Sequence, residues 1–415
     1  MSTNIIVIGA GVVGVCSALA LQESGHQVTL VDKVEPCNGA SFGNAGAVIN
    51  GSCLPTSAPG IIFDVINMIG QKHSPLSIRL SYFHKIFPWL LRFALQSRSS
   101  SFNQNAVHLN ALSKNAVASW KLLTDKTPLS YLFNEAGWLR VYESEKTFST
   151  TAMLSTLLDK MGTEYEILDS DGIRDLEPNL AHSYRYGFYQ KNGLNITNPK
   201  KLIEAMVNLL IQRGGQYRRF EVNEIQLDNN KISLRGFDGC INADKVVIAA
   251  GAWSRHLSKQ LGDDIPLDTE RGYHLMLPES SIGLLNRPVM NGEHSFVLSP
   301  MEMGLRMTAQ VEFAGLKLKP NYNRIRKLLP LAKQMLPKLE SKEESVWMGF
   351  RPSLPDSLPV IDFSNRSKDV LYAFGHQHLG MTLGAVTGYL VSDMLGNNSS
   401  EIDVYPYRAT RFNKW

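Results

Sequence analysis

The chain has 415 residues, 44% hydrophobic and 19% charged, the balance of a folded globular protein with a large core. Its 42 Lys and Arg against 38 Asp and Glu leave a net charge of only +4, too mild to mark a nucleic-acid partner. Four cysteines (Cys16, Cys37, Cys53 and Cys240) form no C-x-x-C pair and suit neither zinc nor a disulfide framework, so no metal is expected and the thiols read as reduced, as in a cytoplasmic protein.

No charged segment with a cleavage site precedes the first apolar run, and no apolar stretch reaches the ~18 residues of a membrane span, so neither a signal peptide nor a transmembrane helix is expected. Residues 4–9 (NIIVIG) predict a buried parallel strand. Residues 12–24 predict a helix and 27–32 (QVTLVD) a second strand ending in Asp32, which completes a βαβ unit. Ile61, Ile62, Val65, Ile66 and Ile69 recur at helical spacing. A second apolar run, 78–95, mixes Phe83, Ile86, Phe87, Trp89 and Leu91 with Arg79, His84, Lys85, Arg92 and Arg98. It reads either as an interfacial helix on an anionic membrane, kinked or broken at Pro88, or as helices covering a second domain.

A helix is expected over 105–123 and a strand over 137–142. Pro199 opens a helix that Gly214 and Gly215 end. Strands follow at 245–251, 271–277, 294–299 and 305–313, then a basic helix over 321–336. The C-terminal part predicts a strand over 370–374, a Gly-rich turn and an apolar helix from about Gly384 to Leu395.

Gly9-Ala10-Gly11-Val12-Val13-Gly14 fits G-x-G-x-x-G. It follows a strand, opens a helix and is answered by Asp32, the context that makes the match a dinucleotide site. Gly9 permits the tight turn, Gly11 lets the backbone approach a pyrophosphate, and Gly14 lets the helix pack close to the sheet. The helix N-terminus offers unpaired N–H groups to the anion. Asp32 suits ribose hydroxyls and disfavours NADP. The fingerprint alone does not separate FAD from NAD. Two further segments favour FAD: the late strand at 245–253, ending in Gly251 and Trp253, and the turn from Gly375 into the last helix.

Together with the segments A-S-F-G-N-A-G at 40–46, W-M-G-F-R-P-S-L-P-D-S-L-P-V-I at 347–361 and G-H-Q-H-L-G-M-T at 375–382, these motifs resemble the FAD-dependent amine and amino-acid oxidoreductases. That family includes D-amino-acid oxidase, glycine oxidase and the bacterial D-amino-acid dehydrogenases; the small subunits of the last are the most similar. The resemblance implies an α/β chain (α+β overall): a Rossmann-like FAD-binding domain (1–80, 196–262 and 340–415) with an inserted mixed-sheet substrate domain (81–195 and 263–339). It implies that Lys33, Ser41, Asn44, Ala45, Gly46, Val222, His378, Leu379, Gly380, Met381 and Thr382 join Gly9, Gly11, Val12, Val13, Gly14, Asp32, Gly251, Trp253 and Gly375 around non-covalent FAD. No cysteine after Cys240 offers a covalent link. Arg351 matches the position that grips a substrate carboxylate, for which its planar fork is suited. Tyr273 or His274 would face the substrate, although an ordinary strand explains either equally well.

The expected reaction is oxidation of a small amino or imino acid, a D-amino acid or D-proline derivative, by hydride transfer to flavin N5. Electrons would pass to a quinone, with peripheral contact at the inner face of the cytoplasmic membrane. The rival readings are an oxidase giving hydrogen peroxide, a non-catalytic FAD subunit of a complex, and an NAD-dependent dehydrogenase.

Overall fold

The computed structural model describes residues 3–61, 74–125, 127–228 and 231–413. The helical spacing read over Ile61 to Ile69 falls, from residue 62 on, outside them.

Strand β1 (Asn4–Ile8) runs parallel to β2 (Gln27–Asp32) on one side and to β14 (Lys245–Ile248) on the other. β10 (Gln216–Arg219) and β21 (Val370–Phe374) extend this sheet in parallel, and β20 (Val360–Phe363) closes one edge antiparallel. Its aliphatic residues are buried because helices and a small sheet cover both faces, which is why these strands read as unbroken apolar runs. Helix α1 (Val12–Glu23) is buried along most of its length, between the sheet and the C-terminal helix.

The mixed sheet has the order β19 (Ser345–Ser353), β15 (Asp268–Met276), β18 (Gly304–Phe313), β17 (Phe296–Met301), β16 (Val289–Asn291), β6 (Trp138–Tyr142), β8 (Tyr186–Gln190) and β7 (Glu166–Leu168), with β4 (Leu76–Ile78) beside β18. Among the described residues, its parallel pairs are β6 with β16 and β4 with β18. Thus β4 and β19 lie in this sheet although they come from stretches read with the nucleotide-binding part. One face buries Leu139, Val141, Tyr273, Leu275, Leu298 and Met307 under the residues around 325–339. The other face meets the loop that follows β2. Two small sheets complete the chain: β11 (Glu224–Asp228), β12 (Lys231–Gly236) and β13 (Gly239–Ala243), and β3 (Ala47–Ile49), β9 (Gly193–Ile196) and β5 (Phe133–Glu135).

Four helical expectations need correction. The 105–123 segment is two helices, Ser99–Ser113 and Ala116–Asp125. The 321–336 segment is also two, Asn323–Arg326 and Leu329–Met335. There Pro330 would clash with the Arg326 carbonyl if the helix were continuous. Helix α2 (Leu80–Gln96) instead continues through Pro88. The carbonyl that Pro88 leaves free belongs to exposed His84, where water can reach it. The C-terminal helix begins at Gly380, four residues before the expected Gly384. No helix among the described residues is long and apolar enough to cross a membrane.

Candidate active site

A cavity of about 400 Å³ opens where β1, β2, β14 and β21 present their C-terminal ends. This is where open α/β sheets bind ligands. Gly9 has φ +115°, and a Cβ there would lie 2.4 Å from the Ala249 oxygen, so the turn leaving β1 presses directly on the end of β14. A Cβ on Gly14 would lie 1.8 Å from the Gly9 oxygen, so the helix crosses over its own entry turn. Gly11 is the open member of the three and lines the cavity with Val12 and Val13.

The Asp32 carboxylate accepts from the Ala10 N–H at 2.7 Å and the Val34 N–H at 3.1 Å. Burial raises its pKa, and these two bonds partly offset the rise. It therefore fixes the glycine turn, and each oxygen keeps a lone pair for a ribose hydroxyl. Lys33 places its Nζ 3.9 Å from the Trp253 ring centroid, clasping the cavity rim. Val222, Gly251 and Asn223 line the same end.

The loop after β2 carries Ser41 and Asn44 into the cavity lining. Ser41 Oγ accepts the Val12 N–H at 3.0 Å, so it caps helix α1 as well as facing the cavity. Asn44 Oδ1 accepts the Gly46 N–H at 2.8 Å. Gly46 itself has a packing role: at φ +74° its Cβ would lie 2.3 Å from the Ile196 oxygen, against β9. Ala45 and Gly46 are not among the cavity-lining residues.

The turn after β21 supplies Gly375, His376 and Gln377, then Gly380 and Met381 at the start of helix α4 (Gly380–Leu395). No side chain caps this helix, so its first N–H groups remain available to a ligand. Trp120 Nε1 donates to the Met381 carbonyl at 2.8 Å and holds the turn from behind. His376 is buried against Thr387, and burial holds its pKa down at about 3. Two residues expected at the cofactor, Leu379 and Thr382, are not among the cavity-lining residues. Thr382 directs its hydroxyl to the Ala47 carbonyl at 3.2 Å, and Leu379 packs in an apolar cluster with Leu383 and Leu109.

The second part of the candidate site is the face of β15, β18 and β19 that carries Gly272, His274, Trp347 and Arg351; the cavity itself takes Phe350 and Pro352 from β19, and Arg351, His274, Tyr273 and His378 are not among its lining residues. A Cβ on Gly272 would lie 2.5 Å from the Arg351 guanidinium carbon, so this glycine makes room for the guanidinium to lie across the strand. Arg351 donates to the Gln310 carbonyl at 3.1 Å and joins no ion pair among the described residues. Gln310 sits at φ +72°, opposite the register shift between Arg271 and Tyr273, and this bulge aims its carbonyl at Arg351. His378 projects into open space, yet protein encloses it on most sides. Burial first, then Arg351 and Arg140, hold its imidazole pKa down at about 4. His274 is buried on the same face, stacked 5.1 Å from the Trp347 ring centroid. Burial and Arg306 keep it neutral, with a pKa near 3.

Tyr273 is a correction. Strand alternation turns it to the opposite face, where its hydroxyl donates to Glu312 Oε2 at 2.6 Å. Glu312 also pairs with Arg79 and with fully buried Arg271, so Tyr273 belongs to a structural ionic cluster. Two contributors were missed in the sequence. Arg306 donates to the carbonyls of Phe42 and Asn44 at 2.9 and 2.8 Å and pins the loop after β2. Trp347 fills the space over Gly43, whose Cβ would lie 1.8 Å from its ring. The one available signal for Arg306 was a cation inside the apolar 305–313 run.

Comparison with known proteins places these features. The family model described as FAD dependent oxidoreductase matches residues 4–394. The chain is 34% identical over 417 residues to a D-amino-acid oxidase of Bradyrhizobium diazoefficiens, with 99% of each chain covered. It is 27% identical to a D-amino acid dehydrogenase of Rhizobium rhizogenes, covering 99% of this chain and 100% of that one. Glycine oxidase from Geobacillus kaustophilus has the same fold, with a TM-score of 0.74 at 20% identity over 99% of both chains. L-proline dehydrogenase from P. horikoshii superposes with a TM-score of 0.77 at 18% identity, covering 100% of this chain and 98% of that one. The open Gly11 turn, the carboxylate of Asp32 and the uncapped start of α4 fit the pyrophosphate, ribose and ring of FAD.

Proposed function

Because the chain belongs to the family of FAD-dependent oxidoreductases, we propose that it dehydrogenates the carbon–nitrogen bond of a small D-amino or imino acid, whose imine product then hydrolyses in water. FAD, when bound, supplies the two-electron oxidant. The chain's residues bind and orient. Arg351 grips the α-carboxylate with two parallel hydrogen bonds, and Gly272 leaves the guanidinium its place. His378 stays uncharged at neutral pH, so the positive charge facing a substrate is that of the guanidinium groups.

The observation that carries the reading is Arg351: a guanidinium enclosed by protein on β19, between the cavity-lining residues Phe350 and Pro352, with one hydrogen bond to a carbonyl, no ion pair within 4 Å among the described residues, and the buried carboxyl of Glu270 opposite it on β15. Charge-assisted bonds of this kind contribute about 1.5–3 kcal/mol each. Arg351→Ala should therefore lower kcat/KM for D-amino acids by about 100-fold or more, mainly through KM, with flavin content and visible spectrum unchanged. Loss of flavin from that variant would make Arg351 structural.

For the acceptor we propose a quinone reached from a membrane surface. Helix α2 buries only Ile86 and Trp89. It exposes Leu80, Phe83, Phe87 and Leu91 beside the exposed cation Lys85, a combination suited to an anionic bilayer. The second reading, an oxidase, is favoured by the relative named D-amino-acid oxidase. Peroxide release against dye or quinone reduction by the same purified protein separates the two.

A further inference from the structure

His274 lines a second cavity, of about 410 Å³. The mixed sheet contributes His274 and Met276 from β15, with Arg306 and Ser345 opposite Met276 on the flanking strands. Paired residues and alternate residues along a strand share a face, so these four side chains stand together. The loop after β2 contributes Phe42, while its Ser41 and Asn44 line the cofactor cavity. Neighbouring residues of one loop therefore line different cavities. Lys200, Lys201 and Glu204 come from the start of helix α3 (Pro199–Gln212).

Arg306 is 3% exposed, and its only described charge partner is the Cys37 thiol, not a carboxylate. Its Nε bonds to Met276 Sδ at 3.3 Å, and its Nη1 donates to the carbonyls of Phe42 and Asn44. Nη2 takes part in no described hydrogen bond. His274 is 1% exposed and neutral. One ring nitrogen donates to the Gly43 backbone, which leaves Nδ1, without a partner, as an acceptor. Buried polar groups in this state are unfavourable unless a ligand completes them. At the helix, Lys201 pairs with Glu302 at 2.7 Å, and Lys200 stands 3.6 Å from Glu204. The Lys200 N–H is free as well, because the Asn198 side chain takes that of Lys201 and Pro199 has none. The lining thus holds three cations against one carboxylate, and an acceptor that a carboxylate ligand cannot satisfy. A hydrogen phosphate answers both: its oxygens accept from the cations, and its hydroxyl donates to Nδ1.

We propose that this cavity binds a phosphate group, free or esterified, and that its occupant strengthens the hold on FAD. Phe42, Met276 and Met303 offer an apolar side to the organic part of an ester. An anion beside Arg306 lowers the cost of burying the guanidinium that pins Phe42 and Asn44. The coupling is reciprocal, so FAD and phosphate raise each other's affinity by one factor. None of this depends on which amino acid is oxidised.

The FAD-loaded enzyme, in which the cofactor occupies the Gly11 turn, is titrated by calorimetry at one ionic strength with inorganic phosphate, phenyl phosphate and acetate. Phosphate should bind once per chain with a Kd of about 1 mM or below, and acetate about 10-fold or more weakly. Tighter binding of phenyl phosphate assigns an ester, and tighter binding of inorganic phosphate the free ion. Lys200→Gln and Arg306→Lys should each weaken phosphate by about 5-fold or more. Release of FAD, followed by its fluorescence, should be about 5-fold or more slower in saturating phosphate than in chloride of equal ionic strength. No binding, acetate equal to phosphate, or affinity unchanged in Lys200→Gln overturns the site. Release of FAD unaltered by bound phosphate overturns the coupling. If Arg306→Lys fails to fold, Lys200→Gln, at the helix surface, decides by the same measurements.

Discussion

Arg351 and Tyr273 lie in adjacent strands, yet alternation sends them to opposite faces. Arg351 lies across Gly272, and Tyr273 turns into the core with Glu312. Their substitutions should part accordingly. Tyr273→Phe removes the hydrogen bond to the buried Glu312 carboxylate and the one accepted from the Asn321 N–H, a loss of about 1–3 kcal/mol in stability. Its kcat/KM should stay within about 3-fold of the unmodified enzyme, and thermal unfolding beside steady-state kinetics checks both halves. A 100-fold kinetic loss with unchanged stability would return Tyr273 to the substrate.

Among the elements, α1 and α4 cross unusually closely. A Cβ on Gly388 would lie 2.7 Å from the Cys16 backbone, and one on Gly384 would lie 2.9 Å from a Val12 methyl. Both helices start at the cavity, so the crossing also sets how their N-termini converge on the cofactor. Gly388→Leu should force them apart, cost about 3 kcal/mol and weaken FAD retention, read from the flavin released on gel filtration. Helix α2 supports a separate expectation. Leu91→Glu on its exposed face should reduce sedimentation with anionic vesicles by about 10-fold and leave dye reduction in solution unaltered. Equal sedimentation of both proteins would argue against the membrane reading.

The whole molecule should lose stability in mild acid. His274 and His376 are buried with pKa values held near 3, against 6.5 for the free side chain. Between those values the unfolded chain binds more protons than the folded one. The stabilisation is therefore complete above about 6.5 and is lost as pH falls towards 3. At pH 5 the loss is about 2 kcal/mol for each histidine. Tm should drop between pH 7 and pH 5, and His376→Gln should make that drop smaller. An equal drop in the variant would assign it to other groups.

The sequence by itself determined the βαβ unit, the glycine turn with Asp32, most strand positions and the FAD family. Those features are local: each is a short pattern whose periodicity or spacing carries its own physics, and Arg351 came with a contiguous motif. What only the tertiary structure decided was facing and crossing. Tyr273, His274 and Arg351 look alike in a strand pattern until the register of β15 against β18 and β19 assigns their sides. Arg306 looked like an ordinary strand cation until folding buried it against the carbonyls of Phe42 and Asn44. Gly46 looked like a ligand-binding glycine until β9 was found against it. A buried charge, a face and a close approach are relations between segments distant in the chain, so no single segment encodes them.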